Sequence, residues 1–129
     1  MFSFLKSRWE SIKIAFAGLL FVIRTQKNAW VHLSITALVI FGGVLVSLSR
    51  LEWVAVVITL GMVWAAETFN TAMEVLIDYV SPEQRPVAKT CKDISAAGVL
   101  IAALMSILVG VLVFGPRLWG WLWALTGWE

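Results

Sequence analysis

Three long apolar runs constrain this chain more than any other feature. From Ala29 to Ser49 the sequence is apolar apart from His32 and a few hydroxyls. A run of that length spans a bilayer core of about 30 Å. Arg50-Leu51-Glu52 interrupts it, and a second run starts at Trp53 and continues as helix to about Asp78. Ser81-Pro82 and Pro86 predict a loop, since proline does not continue a helix interior. A third run opens at Asp93 and reaches about Phe114, where Gly115-Pro116 predicts its end. Of the 129 residues 60% are hydrophobic and only 14% charged, with a mean hydropathy of +0.90. That is too little charge to cover a soluble surface, so lipid is the expected solvent.

The expected architecture is all-α and integral to a membrane, as a single domain without internal repeat or linker. Residues 1–27 precede the first span (29–49), and 53–78 form the second. Residues 79–92 connect it to the third (93–114), and 115–129 are a tail. Near the start, Phe2, Leu5, Trp9, Ile12, Phe16, Leu19 and Ile23 recur at steps of three and four, while Lys6, Arg8, Glu10, Ser11 and Lys13 fill other positions of the early turns. This pattern predicts an amphipathic helix lying in the membrane interface. No small-residue cleavage site follows its apolar stretch, so a cleaved signal peptide is not expected. The single cysteine, Cys91, leaves no intrachain disulfide and reads as passive.

Orientation follows from the basic residues. Lys6, Arg8, Lys13, Arg24, Lys27, Arg85, Lys89 and Lys92 fall on one side of the spans, against Arg50 and Arg117 on the other. The positive-inside rule places the N-terminus in the cytoplasm and the C-terminus outside. Trp119, Trp121, Trp123 and Trp128 then lie at the outer interface, where indole rings concentrate.

The second run contains Glu67, Asn70, Thr71, Glu74 and Asp78. At 100° per residue these fall at about 0°, −60°, +40°, −20° and +20°, so all five share one helix face. Glu67 lies about 21 Å into a core of about 30 Å, where an ionised acid costs on the order of 2.5–3.5 kcal/mol. Carboxylates one and two turns apart also repel unless a cation intervenes. A stripe that merely glued helices together would need amides and hydroxyls, not acids, so function is the stronger reading. Past the loop, Lys89, Lys92 and Asp93 set cations beside the acids. Acids for Mg²⁺ and lysines for phosphate oxygens are the parts phosphoryl transfer requires. For Lys89 ordinary positive-inside anchoring accounts for the charge equally well. No GxxxxGK[ST] or GxGxxG loop occurs, which excludes the familiar soluble nucleotide-binding loops. At the edge of the first span Gln26, Asn28 and His32 are weaker signals, and His32 reads by default as a hydrogen-bonded structural group. Ala96, Ala97, Ala103, Ser106 and Gly110 in the third run suit close helix packing.

Two segments carry a resemblance. Glu67-Thr-Phe-Asn70-Thr-Ala-Met-Glu74-Val-Leu-Ile-Asp78 and Pro86-Val-Ala-Lys89-Thr-Cys-Lys92-Asp93-Ile-Ser-Ala-Ala-Gly resemble the signature of the prokaryotic diacylglycerol kinase and undecaprenol kinase family. The close match covers about residues 67–98, and length and span number agree over almost the whole chain. The resemblance implies a homotrimer in the bacterial cytoplasmic membrane, with sites shared between neighbours, that transfers phosphate from ATP to a lipid alcohol and binds no nucleic acid. It implies that Glu67 is the catalytic base, that Asn70 organises the site and that Glu74 is a Mg²⁺ ligand. It implies nucleotide contacts at Glu83, Gln84, Arg85, Lys92 and Asp93, and places Gln26 at a metal-ligand position where family members often carry glutamate. Arg85-Pro86 replaces a common His-Pro. The acceptor stays open between diacylglycerol and undecaprenol, with the motif leaning loosely to the latter. Two other classes stay in view: a small transporter or proton-relay subunit using Glu67 and Glu74 as carriers, and an inactive scaffold of the same fold.

Overall fold

The computed structural model describes residues 2–83 and 85–126, and these form four helices with no strand among them. They are α1 (Phe2–Thr25), α2 (Lys27–Leu45), α3 (Arg50–Val80) and α4 (Pro86–Thr126). Three of them, α2, α3 and α4, are long and apolar enough to cross a membrane. Large apolar side chains are exposed along all four helices, from Phe4 and Trp9 to Leu112 and Leu125. Exposed apolar surface on that scale belongs in lipid or against other protein, which makes this a membrane protein.

The helix boundaries differ from the sequence expectation in four places. The run 29–49 is helical only as far as Leu45, and Val46–Ser49 make the turn into α3, with Ser47 at φ 52°. α3 starts at Arg50, ahead of Trp53, because Ser49 and Glu52 form a reciprocal capping box: the Ser49 amide donates to Glu52 Oε2 (2.7 Å) and the Glu52 amide to Ser49 Oγ (3.4 Å). The expected connection 79–92 is shorter, since α3 runs to Val80 and Pro86 already begins α4. Proline suits a first helical position, where its missing N–H would have no partner in any case. Finally, Gly115-Pro116 does not end α4, which continues through Pro116 to Thr126. Arg117 braces the helix there. Its guanidinium donates to Val113 O (3.1 Å) and grips Glu52 of α3 at two points, Nη1–Oε1 2.5 Å and Nη2–Oε2 2.8 Å. A proline inside an apolar helix is tolerated when neighbouring helices and local adjustment compensate for the freed carbonyl, here that of Leu112.

The main packing is α3 along α4. A small core of Leu48, Val56 and Val113, with Val39, Trp53, Val109 and Phe114 against it, locks the end where α2 turns into α3. Gly43 is buried there because a β-carbon would lie 2.8 Å from the Trp53 ring and 2.9 Å from Leu48. Toward the other end α1 packs against α2 and α3, burying Val22. Overpacking a close contact costs about 1–3 kcal/mol. Gly43→Ala is therefore expected to lower the thermal unfolding midpoint in detergent, whereas Gly61→Ala, where nothing lies within 4 Å, is expected to leave it unchanged.

Candidate functional site

The polar face of α3 runs from deep burial to open exposure. Glu67 (1% exposed), Asn70 and Thr71 are buried, Glu74 is half-buried, and Asp78 is exposed. Thr71 spends its hydroxyl on its own helix, donating to Glu67 O at 2.9 Å. The other polar groups turn toward neighbouring helices.

A single hydrogen-bonded chain crosses the site. Gln26 Nε2 donates to Glu74 Oε2 (3.4 Å), and Asn70 Nδ2 donates to Glu74 Oε1 (3.1 Å). Asn70 Oδ1 in turn accepts from Ser95 Oγ of α4 (2.7 Å), which also lies 2.9 Å from Lys92 O. The α1–α2 junction, α3 and α4 are thus tied together through one carboxylate. Gln26 is free for this because it occupies the break between helices. Its backbone is extended (φ −100°, ψ 122°) and its side chain makes no cap to α2. Glutamine is not among the short side chains that favour capping, so its amide is free to reach across the bundle.

Glu67 lies deeper. Its nearest polar neighbour on another helix is His32 of α2, with Nε2 3.7 Å from Oε2, and Oε2 has no hydrogen-bond partner. Asn28, His32, Glu67, Asn70 and Glu74 line one cavity of about 330 Å³, closed on the α4 side by small and aliphatic residues such as Ala96 and Ala103. Two more hollows lie toward the loop. Asp78, Ser81, Lys89 and Lys92 line one of about 200 Å³, and Ser81, Glu83 and Arg85 help line the next, of about 640 Å³. Lys92 Nζ pairs with Asp78 across α3 and α4.

Of the residues singled out in the sequence, Gln26, Glu67, Asn70 and Glu74 meet at one place. Lys92 stands one step outward, joined to Asp78. Glu83 and Arg85 do not reach the acids; they pair with each other on the exposed loop (3.4 Å). Asp93 is exposed on α4 beside Lys92, and Gln84 lies outside the described residues. Three participants had no assigned part: Ser95, Asp78 and His32. Ser95 and Asp78 sit inside the quoted motifs, so the signal was present, but their partners are on other helices. Among the described residues no group of three or more His, Cys, Asp or Glu side chains gathers to cage a metal. Glu74, flanked by two side-chain amides, fits a more modest task. A magnesium ion typically takes one or two carboxylates and fills its remaining positions with water and substrate phosphates.

Comparison with known proteins identifies the family. Residues 13–114 match the sequence profile of the prokaryotic diacylglycerol kinase family, a stretch that contains all of these residues. The chain is 33% identical over 110 residues to the undecaprenol kinase of Bacillus subtilis, covering 85% of this chain and 89% of that one. It is 31% identical over 121 residues to a diacylglycerol kinase of Synechocystis sp., covering 88% and 69%. No solved structure matches significantly. With a buried acid, an amide-flanked second acid and a lysine at the open end all lying inside the matched segment, the chain belongs to the prokaryotic diacylglycerol kinase family, a family of lipid kinases.

Proposed function

We propose that this protein phosphorylates a membrane lipid alcohol with Mg-ATP at the cytoplasmic face of the membrane, acting as a homotrimer. The observation that carries the reading is Glu67: a carboxylate 1% exposed, within an apolar helix, with one oxygen unpartnered and a cavity before it. Such a group is costly to keep unless it handles a proton. A lipid hydroxyl near the interface reaches it from the bilayer, while phosphates reach Glu74 and Lys92 from water.

The chemistry assigns each side chain a task. Glu67 takes the hydroxyl proton as the lipid oxygen bonds to the γ-phosphorus, and the bond from that phosphorus to the ADP oxygen breaks. Glu74 would hold the magnesium ion, and the side-chain carbonyl of Gln26 would help once its amide turns over, since Nε2 faces Glu74 in the structure. The ion, when bound, neutralises charge that develops on the phosphate oxygens. Asn70 and Ser95 keep Glu74 aimed, and Lys92 exchanges Asp78 for phosphate oxygens. Positively charged Arg85 suits the nucleotide side of the loop, together with Glu83, Gln84 and Asp93. The amphipathic α1 lies along the inner interface, with the N-terminus in the cytoplasm and the Trp-rich end of α4 at the outer face. Undecaprenol is the favoured acceptor. The relative bearing that name is matched at higher identity and over 89% of its length, against 69% for the diacylglycerol kinase.

The test is transfer of labelled γ-phosphate in detergent mixed micelles, with undecaprenol and diacylglycerol offered separately. Glu67→Gln is expected to lower kcat by about 10²–10⁴-fold, the range of a positioned base, while the unfolding midpoint holds. If magnesium and ATP leave both lipids unmodified, the kinase reading fails; flux of protons or solutes in liposomes that depends on Glu67 would point instead to a carrier.

Gln26 gives a second measurement. Gln26→Glu adds a charged oxygen 48 residues upstream in sequence yet at hydrogen-bond distance from Glu74. The Mg²⁺ concentration for half-maximal activity is expected to fall roughly tenfold in this variant, because carboxylates bind the ion more strongly than amides. In excess chelator the same variant is expected to unfold at lower temperature than wild type, since two close carboxylates then lack a cation.

A further inference from the structure

His32 belongs to no part of the mechanism above, yet it faces the oxygen of Glu67 that lacks a partner. Its Nε2 lies 3.7 Å from Glu67 Oε2, just beyond hydrogen-bond range, and its side chain is 14% exposed. The imidazole has a second neighbour on α3. It meets the Trp64 ring near edge-on, with centroids 6.4 Å apart and planes at 65°. Trp64 is fixed in turn, because its Nε1 donates to Thr36 Oγ1 at 3.1 Å. Thr36 lies one turn beyond His32 on α2, and Trp64 lies almost one turn before Glu67 on α3. Two neighbouring pairs on facing helices therefore brace each other, and the brace ends at the carboxylate. No lysine or arginine lines the cavity around it; Glu74 is the other ionisable group there.

We propose that His32 is the positioning residue for Glu67. On lipid binding its Nε2–H closes the gap and donates to Oε2. That donation fixes the plane of the carboxylate and leaves Oε1 directed at the lipid hydroxyl. Catalytic hydrogen bonds that are long without substrate commonly tighten in the reacting complex. The proton passes from the lipid oxygen to Glu67 Oε1 as the oxygen–phosphorus bond forms, and His32 keeps its own proton throughout. The inference rests on the lipid-kinase reading and extends it to a residue that mere helix packing would also place here.

Three substitutions separate positioning from packing. His32→Gln keeps an N–H at similar reach, His32→Leu keeps only bulk, and His32→Asn keeps an amide that stops short of Glu67. His32→Leu and His32→Asn are expected to lower kcat roughly 10–100-fold, with KM for Mg-ATP within about twofold of wild type. His32→Gln is expected to recover to within about fivefold, and His32→Leu combined with Glu67→Gln to be no slower than Glu67→Gln alone. If His32→Leu does not fold, His32→Asn carries the comparison. Equal rates in wild type and the deficient variants overturn the proposal, as do equal losses in all three, or a loss that adds to that of Glu67→Gln. A wild-type protein without turnover removes the kinase reading as well, whereas normal turnover in His32→Leu removes only this inference.

Discussion

A carboxylate inside an apolar helix is the constraint around which the rest is arranged. Glu67 cannot be hydrated by lipid, so protein or substrate must surround it. The bundle meets that need asymmetrically. One flank holds His32 within a rigid brace from Trp64 and Thr36, and the other opens into a cavity shared with Asn70 and Glu74. The two acids differ by depth. Glu67, the deeper, has an oxygen without a partner, while both oxygens of Glu74 are engaged by amides. A buried carboxylate with few hydrogen bonds suits proton transfer, and an engaged, partly exposed carboxylate suits a cation delivered from water.

The two ends of the bundle are built for different purposes. At the end bearing Glu52 and Arg117, a capping box, a two-point ion pair and the tight seat of Gly43 against Trp53 fix α2, α3 and α4 together. At the Glu74 end the ties are side-chain hydrogen bonds through Gln26, Asn70 and Ser95, bordered by hollows. Apolar packing sets the frame at one end, which leaves polar contacts at the other free to exchange partners for ligands. Lys92 illustrates the difference: its partner Asp78 is exposed, so the pair sits in a screened setting where such contacts contribute little and separate readily.

Much of this was legible in the sequence, and for identifiable reasons. Apolar run length marks a membrane helix because the bilayer has a fixed thickness, and the 100° step put Glu67, Asn70 and Glu74 on one face without any tertiary knowledge. Prolines were read less well. Pro86 and Pro116 carry the same restriction on φ and the same missing donor, yet one opens a helix and the other sits within one. Position separates the cases: Pro86 stands where its N–H would have no partner, whereas Pro116 lies beside Arg117, whose grip joins α4 to Glu52 of α3, far off in sequence. Ser95 and His32 escaped for a similar reason. Each is ordinary on its own helix and gains meaning from a residue on another.

The departure at Gln26 follows the same logic. In sequence it reads as the loss of a metal-binding charge, which is the main argument for an inactive scaffold. In three dimensions the amide is still delivered to Glu74, across 48 residues and from an extended link between helices that leaves its own helix start uncapped. Glutamine keeps the reach and gives up the charge, with its amide nitrogen turned to Glu74. On the proposed reading such a change would weaken the hold on a divalent ion without removing it, leaving more of that hold to Glu74 and the phosphates.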